Sequence, residues 1–388
     1  MRHSQIRLVL VSVVCCILLI AGCANSDVGT PEAQDDRGSN DNGSTVSFVC
    51  VGDNLIHEQI WRCHEKDADG RYNFDDLYAP VKELVSGADV AFVNQETVCG
   101  GEALTLSDWP RFNSPQEILD ALAGTGFNWI STANNHALDR GEAGIRAQID
   151  YLSKIGGVTQ TGTHDSLDDS KTPRILSING VRVGIASYTY GTNGIAPPPG
   201  EEYLVDVIDD AKIRADMGAL TKESDIQIVA MHWGDENSFE PTDEQKRLAQ
   251  MLADTGVDVV IGTHPHVIQA PVVLRGAAGN TTLVYYSLGN FMSSQTEPDQ
   301  MLGAMARFSI EYDALAGSVK LLGAEALPLV THISSDYQTY AVYPMSDYTE
   351  ELAGDHALAA KGLLLDSLSS RVREIFGDDK GWEYHSKP

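Results

Sequence analysis

Short apolar runs, each closed by a polar cluster, recur along this chain. Val46-Ser47-Phe48-Val49-Cys50-Val51 runs into Gly52-Asp53-Asn54, and Ala88-Asp89-Val90-Ala91-Phe92-Val93 into Asn94-Gln95-Glu96. Phe127-Asn128-Trp129-Ile130-Ser131-Thr132 ends in Ala133-Asn134-Asn135-His136. Ile226 to Met231 ends in His232-Trp233-Gly234, and Val257-Asp258-Val259-Val260-Ile261 ends in Gly262-Thr263-His264-Pro265-His266-Val267. Such β-branched and aromatic runs bounded by glycine and polar residues predict buried strands. Helical signals lie between them. Ser114-Pro115-Gln116-Glu117 reads as a capping box with proline at the first helical position, stopping near Gly124 or Gly126. Thr242-Asp243-Glu244-Gln245 reads as another, with Leu248, Met251 and Leu252 on one face and Gly256 as the stop. Strands alternating with helices predict an α/β layered fold, in which groups at the carboxyl ends of strands share one crevice.

Past Val267 the pattern changes. Val272 to Leu274, Thr282 to Tyr286, Ala304 to Tyr312 and Ser318 to Leu327 predict a second, largely antiparallel sheet. An amphipathic helical pattern follows from Tyr348 to about Phe376, with breaks at Gly354 or Gly362 and Leu364, Leu368, Val372 and Ile375 as packing positions. At the other end, Arg2 and Arg7 precede an apolar run, Leu8 to Ile20, that is short for a membrane span. It closes with Leu19-Ile20-Ala21-Gly22-Cys23, which resembles the lipobox of bacterial lipoproteins. That resemblance implies cleavage before Cys23, lipidation of its thiol and an extracytoplasmic, membrane-anchored chain; an uncleaved signal-anchor is the other reading. Residues 24–45 are rich in Gly, Ser, Asn and Asp and read as a disordered tether. The expected organisation is a signal segment over 1–23, a linker over 24–45, a folded domain over 46–345 and a helical extension over 346–388.

Composition narrows the function. Lys and Arg number 27 against 55 Asp and Glu, a formal net charge of -28 that repels nucleic-acid backbones and argues against such a partner. Of the 6 cysteines, Cys15 and Cys16 leave with the signal and Cys23 carries lipid. Cys63 and Cys99 fall in loops and could pair in an oxidising compartment, whereas Cys50 sits in an apolar strand and reads as a core residue.

The candidate chemistry lies in the strand-end clusters: Asp53 and His57, Asn94 and Glu96, Asn135 with His136 and Asp139, His232, and His264 with His266. In extended backbone His264 and His266 point the same way, with Pro265 stiffening the presentation. Carboxylates, an amide oxygen and several imidazoles, without thiolate, form the donor set for two divalent cations such as Mn, Fe or Zn. A metal pair suits displacement at phosphorus, because both ions can hold phosphoryl oxygens. Plainer readings stand beside this. His57 and Asp139 also fit surface or capping positions, Asn94 fits a turn former, and Asn290 in Ser287-Leu288-Gly289-Asn290-Phe291 either shapes a turn or offers its amide to substrate. Tyr188, Tyr190 and Asn193 line the pocket or belong to the core.

Taken together, Gly52-Asp53-Asn54-Leu55-Ile56-His57, Asn94-Gln95-Glu96, Ala133-Asn134-Asn135-His136-Ala137-Leu138-Asp139-Arg140-Gly141, His232-Trp233-Gly234, Gly262 to Val267 and Ser287 to Phe291 resemble the bacterial CapA capsule-synthesis family, which includes the poly-γ-glutamate biosynthesis protein PgsA. The similarity runs from about Val46 to Leu329. This family is related to calcineurin-like metallophosphatases, so the resemblance implies a four-layer α/β/β/α sandwich with two divalent ions between the sheets. Position by position it implies Asp53 and His266 at the first ion, Glu96 as the bridging carboxylate, and Asn135, His232 and His264 at the second. His136 is implied as the group that protonates a leaving oxygen, with Asp139 orienting it. Two departures from the metallophosphatase pattern stand out: Leu55 occupies a position usually held by histidine, with His57 as a substitute from the next turn, and Glu96 replaces aspartate. The function implied is a cell-surface metal-dependent hydrolase or transferase in capsule or poly-γ-glutamate assembly. It would act on an anionic polymer or its phosphorylated carrier, with membrane synthase subunits as partners. A non-catalytic polymer-binding or export component and a general phosphoesterase are the alternatives.

Overall fold

The computed structural model describes residues 43–378 and 380–385. The expected signal segment with Cys23, and the expected linker up to residue 42, lie outside the described residues. Along the chain run β1 (Gly43–Asn54), α1 (Glu58–Arg62), α2 (Asp75–Tyr78), α3 (Lys82–Ser86), β2 (Val90–Gln95), α4 (Glu117–Thr125), β3 (Trp129–Ser131), α5 (Gly141–Leu152) and β4 (Thr159–Thr161). Next come β5 (Arg174–Ile178), β6 (Val181–Thr189), α6 (Asp210–Glu223), β7 (Ile226–His232), α7 (Asp243–Asp254), β8 (Val259–Thr263), β9 (Ile268–Gln269), β10 (Val272–Arg275), β11 (Thr281–Tyr285), β12 (Ser287–Leu288) and β13 (Asn290–Met292). β14 (Leu302–Asp313), β15 (Ser318–Ile333), β16 (Tyr340–Pro344), α8 (Glu350–Asp355), α9 (Leu365–Phe376) and β17 (Trp382–His385) complete the described residues.

Two mixed sheets face each other. The larger has the order β16-β15-β14-β1-β2-β3-β4, with β13 added to β1 and β17 to β15; the smaller has the order β10-β11-β8-β7-β6-β5. Alternation along the strands explains the layering. Ile228, Ala230, Val259 and Ile261 share one buried cluster with Phe48, Cys50, Phe92 and Met305 of the larger sheet. Their neighbours Val229, Met231 and Val260 turn the other way and pack under Ile213 and Met217 of α6 and Leu248 and Leu252 of α7. Ile118, Leu119 and Leu122 of α4 and Leu368, Val372 and Phe376 of α9 belong to the larger cluster. The result is the expected α/β sandwich, helices outside and sheets within. Each fully buried Val, Ile or Leu contributes roughly 1.5–3 kcal/mol to such a core.

The late strands depart from expectation. Only β9 and β12 pair apart, as a two-stranded antiparallel ribbon; of the strands expected to make a second sheet, β11 pairs parallel with β8, carrying β10 to that edge, while β14 pairs antiparallel with β1 and is followed by β15. β1 is buried along most of its length and needs a partner on both edges; Phe48 and Phe308, directly paired, stack at 4.8 Å and secure that register. Three smaller expectations also change. Ser114 does not cap α4, because its hydroxyl is drawn into the core towards Thr97 and Ile56, and Gln116 takes the cap position. The segment after residue 345 has the expected break, α8 and α9 being separated around the left-handed Gly362, but it does not end as a helix, because β17 returns to pair with β15. Cys63 and Cys99 are free, the Cys63 thiol donating to Ile60 O and the buried Cys99 thiol to Thr97 O. Thr242 forms its capping box with Gln245 as read.

Candidate metal centre

The expected clusters meet where β1, β2, β3, β7 and β8 end. Backbone packing dictates glycine just before two of them. A Cβ on Gly52 would lie 1.8 Å from Gly289 O, and one on Gly262 would lie 2.0 Å from Tyr286 O. Only residues without side chains let these strands approach so closely.

Asp53, fully buried, ends β1. Its Oδ1 accepts from Asn94 Nδ2 at 2.7 Å and its Oδ2 accepts from the His264 backbone N–H at 3.0 Å. Asn94 therefore serves Asp53, and its own Oδ1 is buried without a partner. Glu96 follows β2, completely buried, with neither carboxylate oxygen hydrogen-bonded. Asn135 follows β3 and places Oδ1 2.8 Å from His232 Nε2, while its amide donates to Asn193 Oδ1. His232 ends β7, its Nδ1 held 2.9 Å from Thr263 Oγ1. Beyond β8 the two histidines are not extended: His264 has φ 97° and His266 φ 59°. The left-handed turn, not strand alternation, aims both rings inward. His266 Nδ1 lies 3.0 Å from Asn290 Oδ1, and Asn290 is paired beside Asp53 through β13. Asn290 thus supports a histidine.

Donor atoms from these residues converge. Those of Asp53, Glu96 and His266 lie within 4.8 Å of one another, as do those of Glu96, His232 and His264. Glu96 is common to both triplets. A third triplet joins His264 and His266 to Glu236, an exposed residue the sequence reading missed. Its signal was its place two residues beyond Gly234, in the loop that leaves His232. His57 joins none of the triplets. Its Nδ1 is 3.1 Å from Leu55 O and accepts from Ser294 N–H at 3.2 Å, and its ring edges onto Phe112. Leu55 itself is buried.

The electrostatics suit cations. Burial, with Asp53, Glu236 and Asp139 adding to it, pushes the Glu96 carboxyl well above its usual range, against the pull of His266. Burial and the neighbouring imidazoles hold His232 well below the ordinary histidine value and His264 at about 3, so both stay neutral. Burial also acts to lower His266, but Glu96 and Asp53 outweigh it and raise the group to about 9. A buried carboxylate with unpartnered oxygens, an unpartnered His264 Nδ1 and neutral imidazoles fit a divalent metal.

A histidine–aspartate pair lies alongside. His136 Nδ1 is 2.8 Å from Asp139 Oδ2, which also accepts the Phe112 N–H at 2.7 Å, and the Phe112 ring packs on the imidazole. Asp139 is therefore a buried acceptor rather than a surface residue. Tyr190, half exposed, lays its ring 4.6 Å from His264.

All of these residues from Asp53 to Asn290 fall inside one family match. The model of the bacterial capsule synthesis protein PGA_cap matches residues 47–295. The chain belongs to the PGA_cap family. Among relatives, the PGA biosynthesis protein CapA of Bacillus subtilis (strain 168) is 31% identical over 191 residues, 46% of each chain. The capsule biosynthesis protein CapA of Bacillus anthracis is 26% identical over 268 residues, 64% of this chain and 60% of that one. The chain thus spans about half the length of the curated relatives it matches. Among solved structures, a 5′-nucleotidase precursor from Thermus thermophilus aligns with a TM-score of 0.45 at 14% identity, covering 74% of this chain and 54% of that one.

Proposed function

We propose that this PGA_cap protein acts in capsule or poly-γ-glutamate biosynthesis as a two-metal hydrolase or transferase on an anionic polymer or its phosphorylated carrier. One observation carries the reading: a buried, unpartnered Glu96 shared by two donor triplets, all within the family match. Asp53, Glu96 and His266 would hold one ion and Glu96, Asn135, His232 and His264 the other. Such ions supply positive charge to oxygens that become more negative during bond cleavage. The chain supplies the rest. Asp139 keeps the His136 proton on Nδ1, which leaves Nε2 to exchange a proton with a leaving oxygen. Tyr190 and Asn193 border the open side, where a substrate would be placed. The proposal includes an extracytoplasmic chain anchored through a lipidated Cys23 and working beside membrane synthase subunits.

The test is metal content and phosphodiester hydrolysis in wild type and in a variant combining His264→Ala with His266→Ala. Loss of bound metal and of turnover together is expected. Unchanged metal content in the variant would remove the site assignment. Leu55 favours a second reading, a polymer-binding or export component, because a buried apolar side chain stands where a further ligand would be expected. Full metal occupancy without turnover on any phosphoester or amide of the polymer would select it.

A further inference from the structure

We infer that Glu236 is a further protein ligand of this centre, its carboxylate set beside His264 and His266. The inference rests on the two-metal reading above and assigns a residue that reading does not use. Donor atoms of Glu236, His264 and His266 form a triplet that overlaps the Asp53–Glu96–His266 and Glu96–His232–His264 triplets through the two histidines. His57 is not such a ligand, since its Nδ1 already faces Leu55 O and the Ser294 N–H and it enters none of the donor triplets.

Glu236 comes from the opposite, solvent side. Its carboxylate is within 4.8 Å of donor atoms of both His264 and His266, yet among the described residues it has no hydrogen-bond or ion-pair partner. Its backbone is anchored to the turn that carries those histidines. Trp233 N–H donates to Thr263 O at 3.1 Å, and Asn237 N–H donates to Pro265 O at 2.8 Å. Asn237, itself left-handed at φ 61°, accepts from Gln300 Nε2 at 2.7 Å. The chain on both sides of Glu236 is therefore fixed to Thr263 and Pro265. A carboxylate held there adds negative charge to a pocket that already contains Asp53 and Glu96, an arrangement that cations stabilise. The nearby buried and unpartnered atoms of Glu96 and His264 are the independent sign of a ligand.

The experiment measures binding, not turnover. The metal-free folded chain is dialysed against Mn(II) and Co(II), and stoichiometry, affinity and the visible Co(II) spectrum are recorded for wild type, Glu236→Ala, Glu236→Gln and His57→Ala. Wild type and His57→Ala are expected to bind two equivalents. In both Glu236 variants the second equivalent should weaken at least about tenfold while the first is unchanged, with a change in the Co(II) spectrum confined to the second equivalent. Two equivalents at wild-type affinity in Glu236→Ala would overturn the inference and leave the two-metal reading standing. So would loss of the second equivalent in His57→Ala with retention in the Glu236 variants. Fewer than two equivalents in wild type would overturn the two-metal reading and the inference with it.

Discussion

At the scale of single residues, the centre depends on side chains held in unfavourable or unpartnered states by their surroundings. His264 and His266 both have left-handed backbone, which costs of order 1–3 kcal/mol per residue that carries a side chain. The hydrogen bonds from Asn237 to Pro265 and from His264 N–H to Asp53 offset that strain. Asp139 shows the same dependence on neighbours, one oxygen accepting from both Phe112 and His136. Asp139→Asn keeps an oxygen for those donors but removes the charge that stabilises a protonated imidazole. Turnover of a chromogenic phosphodiester is expected to fall about 100-fold while bound metal is unchanged; equal turnover in the variant would deny His136 its proposed part. The identities of His136, Asp139, Glu96 and the two histidines were legible in the sequence as strand-end polar residues. Glu236 was not, because an exposed glutamate in a polar loop looks like any solvated side chain until the turn it is tied to is seen.

At the scale of elements, strand ends and the glycines before them bring the clusters together. β1, β2, β3, β7 and β8 all finish at this centre, and their apolar runs announced them. Their close approach is less obvious from the chain. Gly262 leaves room for Tyr286 O, and Trp233 Nε1 donates to the same carbonyl at 2.9 Å. Gly262→Ala would press a methyl group into that backbone, so a loss of about 3 kcal/mol, the upper range for overpacking, is expected in denaturant unfolding. A variant as stable as wild type would mean that the two strands can separate there without cost. The expected capping box at Ser114 failed for a related reason, since burial turned its hydroxyl to Thr97 rather than to the helix start.

For the whole molecule, folding and ligand binding are linked, because donors from residue 53 to residue 266 come together only in the native sandwich. An ion that binds this centre and not the unfolded chain stabilises the fold by about 2.7 kcal/mol at a hundred times its dissociation constant. Mn(II) should therefore raise the melting temperature, a chelator should reverse the rise, and the double histidine variant should show neither. A wild-type midpoint indifferent to both would count against the centre. What the sequence determined by itself is the alternation of strands and helices, the polar residue types at strand ends and the family they resemble. All of these are local signals, set by spacing of a few residues and by backbone preference. Tertiary structure alone decided that the late strands divide between two sheets, that Cys63 and Cys99 remain apart and that Asn94 and Asn290 support other side chains. It also decided that Glu236 faces the histidines. Each of those depends on contacts between residues far apart in the chain, where burial and the need to satisfy every interior polar group override local preference.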